Sequence, residues 1–168
     1  MQKKNKKQPP RVFLDSNVVI SGLVFPRWPY EIIKYGEAQE IKIVLCSLII
    51  KEVQTRIAVT FPSCLDRFHR FITTSSYEIA AIPSKNKLTR YPNLVRDKKD
   101  IPIALSAIKA KVDYLVSNDK DLTVQDQTTK QLREYLQPLQ PGTFLKEVMG
   151  WTSEELESIR YRTWQDLE

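Results

Sequence analysis

With 168 residues, 42% hydrophobic and 27% charged, the chain has the make-up of one globular domain able to bury a core without covalent staples, which excludes a disordered or fibrous protein. Two cysteines, Cys46 and Cys64, are too few for a disulfide framework and read as reduced core thiols of a cytoplasmic protein. A formal charge of +6 favours a polyanionic partner, and no apolar run approaches the ~20 residues that span a bilayer, so no membrane contact is expected.

Residues 1–10 (MQKKNKKQPP) form a basic tail with almost nothing to bury, expected to be disordered; they lack the apolar stretch of a secretory signal. Residues 12–14 are a short apolar burst halted by Asp15, Ser16 and Asn17, which predicts a buried strand. The pattern from 28 to 40 is helical, with Ile32, Ile33 and Tyr35 on one side. Residues 41–46 predict a second strand, and Ser47 stands in a good N-cap position for a helix running to about Pro62. A further helix is expected over 63–73, and a third strand over 77–82.

The stretch 83–99 is polar, basic and proline-containing, so it reads as a loop with at most a helical turn. Asp100 opens a helical run in which Pro102 is tolerated because it falls in the first turn. A fourth strand over 113–117, stopped by Asn118 and Asp119, precedes a helix over about 127–136, a fifth strand near Leu139 and a closing helix over 143–149. Alternating strands and helices imply an α/β fold with a central parallel sheet in three layers. Gly150 marks the expected end of the core domain, residues 11–150. In the tail, residues 151–168, Thr152 and Glu155 form a capping-box pattern opening a last helix with Leu156, Ile159 and Trp164, which docks on the domain or on another chain.

Four acids stand out. The first and fourth strands both end on an aspartate, Asp15 and Asp119, and in an open parallel sheet functional crevices lie beyond the carboxyl ends of the strands. Aspartate is also an ordinary turn former. Asp100 sits where a helix begins, a place that N-capping explains equally well, and Asp97 can share either role. Glu52 lies close in helical angle to Leu48, Ile49, Arg56 and Val59, which puts it on or beside an apolar face; an ion pair with Arg56 one turn on is the ordinary explanation. Taken together, two like charges ~4 Å apart repel by on the order of 4 kcal/mol at an effective dielectric of ~20. Converging carboxylates must therefore hold protons or a cation. An all-oxygen site points to Mg²⁺ or Mn²⁺ rather than zinc. The single histidine, His69, lies among arginines in a predicted helix, and a mechanism built on a histidine pair is impossible.

The run VFLDSNVVISGLVF, the helix SLIIKEV, the block DIPIALSAIKAKVDYLVSNDKDL and the ending PGTFLKEV resemble the PIN-domain family over roughly residues 11–149. The branch they resemble most is the group described as toxin components of toxin–antitoxin systems, related to VapC-type toxins. This resemblance implies a three-layer α/β/α domain with a central parallel sheet, and a metal-dependent endoribonuclease in which a metal-activated water leaves a 5′-phosphate and a 3′-hydroxyl. It places the metal-holding and catalytic acids on Asp15, Glu52, Asp100 and Asp119, and the small polar residues that steady them on Asn17 and Ser117. Asp97 and Asp121 match acidic positions of the branch and would act at most in support. Asn118 departs from the small or basic residue common before the last acid, without removing a ligand. The resemblance also implies an RNA substrate, a cognate antitoxin protein and a homodimer.

The basic loop supplies Lys85, Lys87, Arg90, Arg96, Lys98 and Lys99 as a phosphate-steering rim beside Asp100, with Tyr91 able to stack on an unpaired base; a merely solvated charged loop is the plainer reading. Two other functions fit parts of the pattern. One is a catalytically silent PIN fold that binds RNA or assembles without turnover. The other is a receiver-type phospho-acceptor domain, which wants a paired acid after the first strand that LDSN lacks.

Overall fold

The computed structural model describes residues 8–168; residues 1–7 of the expected basic tail lie outside them. Five strands, β1 (Arg11–Leu14), β2 (Lys42–Cys46), β3 (Tyr77–Ala80), β4 (Tyr114–Val116) and β5 (Gln137–Leu139), form one sheet in the order β3-β2-β1-β4-β5. Every neighbouring pair is parallel, with Phe13 opposite both Val44 and Leu115. Helices cover both faces, giving the three-layer α/β/α architecture. Val12, Phe13 and Leu14 are completely buried, as are Val44 and Leu115, because the central strands of a parallel sheet have no solvent side and read as continuous apolar runs.

The chain places β2 and then β3 on one side of β1, then returns to lay β4 on the other. The sheet order therefore reverses between β1 and β4, and the carboxyl ends of those strands flank the switch point at which open α/β sheets bind ligands. Asp15 follows β1 directly and Asp119 follows shortly after β4. A receiver-type domain has the strand order 2-1-3-4-5, so this topology rules that reading out.

Helix α1 (Ser16–Val24) has no counterpart in the sequence pattern, where Val18, Val19 and Ile20 form a β-branched run poorly suited to helices. Burial overrides propensity: Val18, Val19 and Leu23 all enter the core. Gly22 lets α1 approach α2 (Trp28–Glu37), since a Cβ there would lie 2.5 Å from Ile33 Cδ1 and 3.1 Å from the Pro29 carbonyl.

Two expectations about α3 (Ser47–Thr60) fail. Cys46, in extended backbone, holds the N-cap position and Ser47 is already helical, with no side-chain capping bond. The buried stripe is Ile49, Val53 and Ile57, four residues apart, so the face shared by Leu48, Glu52, Arg56 and Val59 is turned to solvent. Glu52 thus needs no burial argument, and among the described residues it forms no ion pair with Arg56.

A 3₁₀ turn (Pro62–Cys64) leads into α4 (Leu65–Thr74), which carries the exposed His69. Both cysteines are free and buried. The basic stretch holds one short helix, α5 (Lys85–Arg90), and a 3₁₀ turn at Lys98–Asp100; α6 (Ile101–Lys109) then starts with Pro102 in its first turn. After β4 comes a single turn, α7 (Lys120–Thr123). The helix expected over 127–136 breaks into a 3₁₀ turn and α8 (Lys130–Arg133), because Leu136 must extend to feed β5. Helix α9 (Pro141–Glu147) ends near Gly150, whose φ of 80° is a left-handed conformation glycine adopts without strain.

The capping box of Thr152 and Glu155 forms in full at the start of α10 (Ser153–Ser158). That helix stops before Trp164, which lies in its own 3₁₀ turn (Trp164–Leu167) instead of continuing one long helix. The break lets the chain turn back across α1 and α2. Trp164 Nε1 donates to the Val24 carbonyl at 2.9 Å, Arg162 pairs with Glu31 at 2.6 Å, and Trp28 Nε1 donates to the Leu156 carbonyl. No helix among the described residues is long and apolar enough to cross a membrane.

Candidate active site

Asp15 lies at the carboxyl end of β1, beside the topological switch point. Only 6% exposed, it caps α1 by accepting from the Ser16 N–H at 2.8 Å, and it accepts from the Ser117 hydroxyl at 2.7 Å. The Ser117 oxygen in turn accepts from the Asp119 N–H at 3.0 Å, so one buried hydroxyl ties the two strand-end aspartates together. A second stitch runs through Asn17, whose side-chain oxygen accepts from the Asn118 N–H at 3.1 Å and whose amide reaches toward Asp15 at 3.5 Å. Small polar residues suit these places because each must satisfy buried backbone and carboxylate groups without filling the crevice.

The other acids differ in how fully their ordinary roles explain them. Asp119 caps α7 through the Asp121 N–H at 2.8 Å. Asp97 caps the turn before α6 through the Lys99 N–H at 3.0 Å, and Asp121 pairs with Arg96 at 3.1 Å. Asp100 occupies the N-cap position of α6 but makes no capping bond with its side chain. The structural explanation available from sequence is therefore not in use there.

Electrostatics bring Asp15, Glu52, Asp100 and Asp119 into one field. Burial pushes the Asp15 carboxyl above the usual carboxylate range; hydrogen bonds from Ser117 and Ser16 work against it, and the charges of Glu52 and Asp119 add to it. Asp100 is pushed up to about 6, first by burial and then by Asp15, Asp97, Asp119 and Glu52. Among the described residues none of the four forms an ion pair. Such a crowd of unneutralised carboxylates is relieved by protons or by a cation. Yet no three acidic, histidine or cysteine side chains among the described residues stand close enough to hold a metal ion as they are. The donor set, oxygen only and without histidine or thiolate, fits a hard divalent cation such as Mg²⁺ or Mn²⁺.

The basic rim divides. Arg96 is engaged with Asp121, whereas Lys85, Lys87 and Arg90 are exposed on α5 and Lys98 and Lys99 are exposed in the turn before Asp100. Tyr91 is partly buried against the core. Beside it lie Lys109 and Tyr135, which sequence reasoning passed over because they fall far from the basic run.

The sequence profile described as PIN domain matches residues 11–121, a span that holds β1 through the start of α7 and all four acids. The chain belongs to the PIN-domain family. A search of curated protein sequences returns no significant match. Among solved structures, this PIN domain is similar to PAE2754 from Pyrobaculum aerophilum, at 13% identity and a TM-score of 0.59 over 84% of this chain and 97% of that one. It is also similar to VapBC2 from Rickettsia felis bound to a DNA fragment from their promoter, at 16% identity and a TM-score of 0.54, covering 77% of this chain and 98% of that one. FitAcB from Neisseria gonorrhoeae matches at 13% identity and a TM-score of 0.51, with 77% and 97% covered. At these identities the likeness is one of fold.

Proposed function

We propose that this PIN domain is a metal-dependent endoribonuclease and the toxin component of a toxin–antitoxin pair, acting in the cytoplasm. The observation that carries the reading is the unpaired carboxylate field at the switch point, with Asp15 buried and Asp100 pushed up to about 6. Asp15, Glu52, Asp100 and Asp119 would hold one or two Mg²⁺ or Mn²⁺ ions. A bound ion of this kind lowers the pKa of water and neutralises charge on a scissile phosphate.

The chain's own residues do the rest. Ser117 fixes the Asp15 carboxylate in one orientation through its 2.7 Å hydrogen bond, and Asn17 steadies the loop that carries Asp119. Lys85, Lys87, Arg90, Arg96, Lys98 and Lys99, with Tyr91, would steer RNA toward Asp100, while Asp97 and Asp121 support the neighbouring turns. Hydrolysis adds water across the phosphodiester, leaving a 5′-phosphate and freeing a 3′-hydroxyl.

Its likeness to VapBC2 and FitAcB supports a cognate antitoxin protein as partner; in this reading that protein would cover the acids, and the toxin would form a homodimer. A second reading, a PIN fold that binds RNA without turnover, draws on the spacing of the acids, no three of which among the described residues stand close enough to hold a metal as they are. Incubation of the purified protein with mixed cellular RNAs separates the two. The nuclease reading expects cleavage in Mg²⁺ or Mn²⁺ that EDTA abolishes and Asp15→Asn removes; undiminished cleavage by that variant rejects the site.

A further inference from the structure

A cleft of about 230 Å³ lies between α5, α6 and the segment that leads into β5. It is lined by the rings of Tyr91 and Tyr135, by the apolar Leu105 and Ile108, and by the cations Lys87, Arg90 and Lys109. These residues come from three separate parts of the chain. Tyr135 is 52% exposed, which leaves part of its side chain open to a ligand. Among the described residues Lys87, Arg90 and Lys109 form no ion pair, so three cations ring an apolar slot with their charge unspent.

We propose that this cleft is a subsite for an unpaired RNA base, held against Tyr91 and Tyr135 while Lys87, Arg90 and Lys109 take the flanking phosphates. The inference rests on the nuclease reading for its substrate and deepens it by naming single-stranded RNA as the form recognised. Aromatic faces with interleaved cations are the combination that single strands require, because every base has a π-face and every linkage a charge. The volume is below the ~300–1,000 Å³ of typical small-molecule pockets and suits one flat ring. Position agrees as well. Lys109 closes the helix that Asp100 opens, and at ~1.5 Å per residue the two are about 13 Å apart. Even at the compact ~3.4 Å spacing of stacked bases, that separation is at most about four nucleotide steps. A base in the cleft and a phosphate at the acids can therefore belong to one short strand. The ring of positive charge also suits an acidic peptide, which the flat apolar slot does not require.

The test uses fluorescence anisotropy of a labelled single-stranded RNA dodecamer, its duplex and a poly-glutamate peptide, all in EDTA so that binding is read without turnover. Tyr135→Ala should weaken single-strand binding roughly 5- to 100-fold, the range for losing one base–aromatic stack. Tyr135→Phe should preserve it, and duplex binding should not change. Lys109→Glu should lower the salt dependence of single-strand affinity. An unchanged single-strand affinity in Tyr135→Ala, or poly-glutamate bound more tightly than RNA, overturns the subsite. Failure of the two ideas is distinguishable: Mg²⁺-dependent cleavage with the same KM in Tyr135→Ala leaves the nuclease standing and removes the cleft. Stacking-dependent binding with no cleavage does the reverse.

Discussion

Replacing Asp100 by Asn should make the metal-free protein more stable while removing its response to metal. Asp100 has a folded pKa of about 6 against an ordinary 3.8, a gap of about 2 units, which corresponds to a ceiling of about 3 kcal/mol at 1.36 kcal/mol per unit. The carboxyl is only partly buried, and screening by water reduces that to about 1–2 kcal/mol. For a carboxyl raised on folding, the favourable contribution is fully present below its unfolded pKa and is lost as pH rises through about 6. At pH 7.5 the whole penalty is in force. Asn keeps the shape and carries no charge, and no capping bond is sacrificed because the side chain makes none. Thermal unfolding in EDTA at pH 7.5 should therefore give a Tm about 2–8 °C higher for Asp100→Asn, using ~2–4 °C per kcal/mol for a domain of this size. The gap should close as pH falls toward 4. Wild type should gain Tm on addition of Mg²⁺ or Mn²⁺, and the variant should gain little. A variant that melts lower than wild type in EDTA, or that responds equally to metal, refutes the electrostatic account of the crevice.

Four more outcomes follow from contacts described above. Asp15→Asn should fold, retaining its circular dichroism spectrum, and lose metal-dependent RNA cleavage; cleavage at the wild-type rate contradicts its central place. Ser117→Ala removes the hydroxyl that joins Asp15 to the Asp119 N–H and should destabilise by about 1–3 kcal/mol in urea denaturation, with activity falling further than stability explains. Reversing Lys98 and Lys99 to Glu should flatten the dependence of RNA affinity on salt; an unaltered slope would show that the rim does not meet phosphate. Trp164→Ala strips a ring that stacks on Arg67 at 3.8 Å and meets Tyr30 edge-on at 5.2 Å, and should cost about 1–3 kcal/mol given its partial burial, measured by the same denaturation.

The sheet was the most legible part of the sequence. Strands such as VFL and KIVLC are buried on both faces, so their apolar runs have no competing explanation. Helices were read well where a stripe was clear and badly where tertiary packing decided. The segment from Ser16 to Val24 carries β-branched residues and a glycine, and becomes helical because Val18, Val19 and Leu23 enter the core while Gly22 lets it close onto Pro29 and Ile33. Reading Leu48 and Val59 as core gave Glu52 an inward position it does not have, since an exposed apolar side chain looks the same in sequence as a buried one. The acids themselves were visible as strand-end and helix-start aspartates. Their grouping came from the family resemblance and not from spacing, because it depends on the return of the chain to lay β4 beside β1. Tyr135 and Lys109 could not be joined to the basic loop for the same reason: only the fold makes them neighbours.

The tail after Gly150 anchors α1 at the end opposite Asp15. Asp15 holds its first turn, and at its far end the Val24 and Pro26 carbonyls accept from Trp164 Nε1 and Arg162 Nε. Trimming into residues 151–168 would therefore remove the far-end contacts of the same helix whose first turn Asp15 caps, so a truncation aimed at the tail also touches the element that carries the first acid.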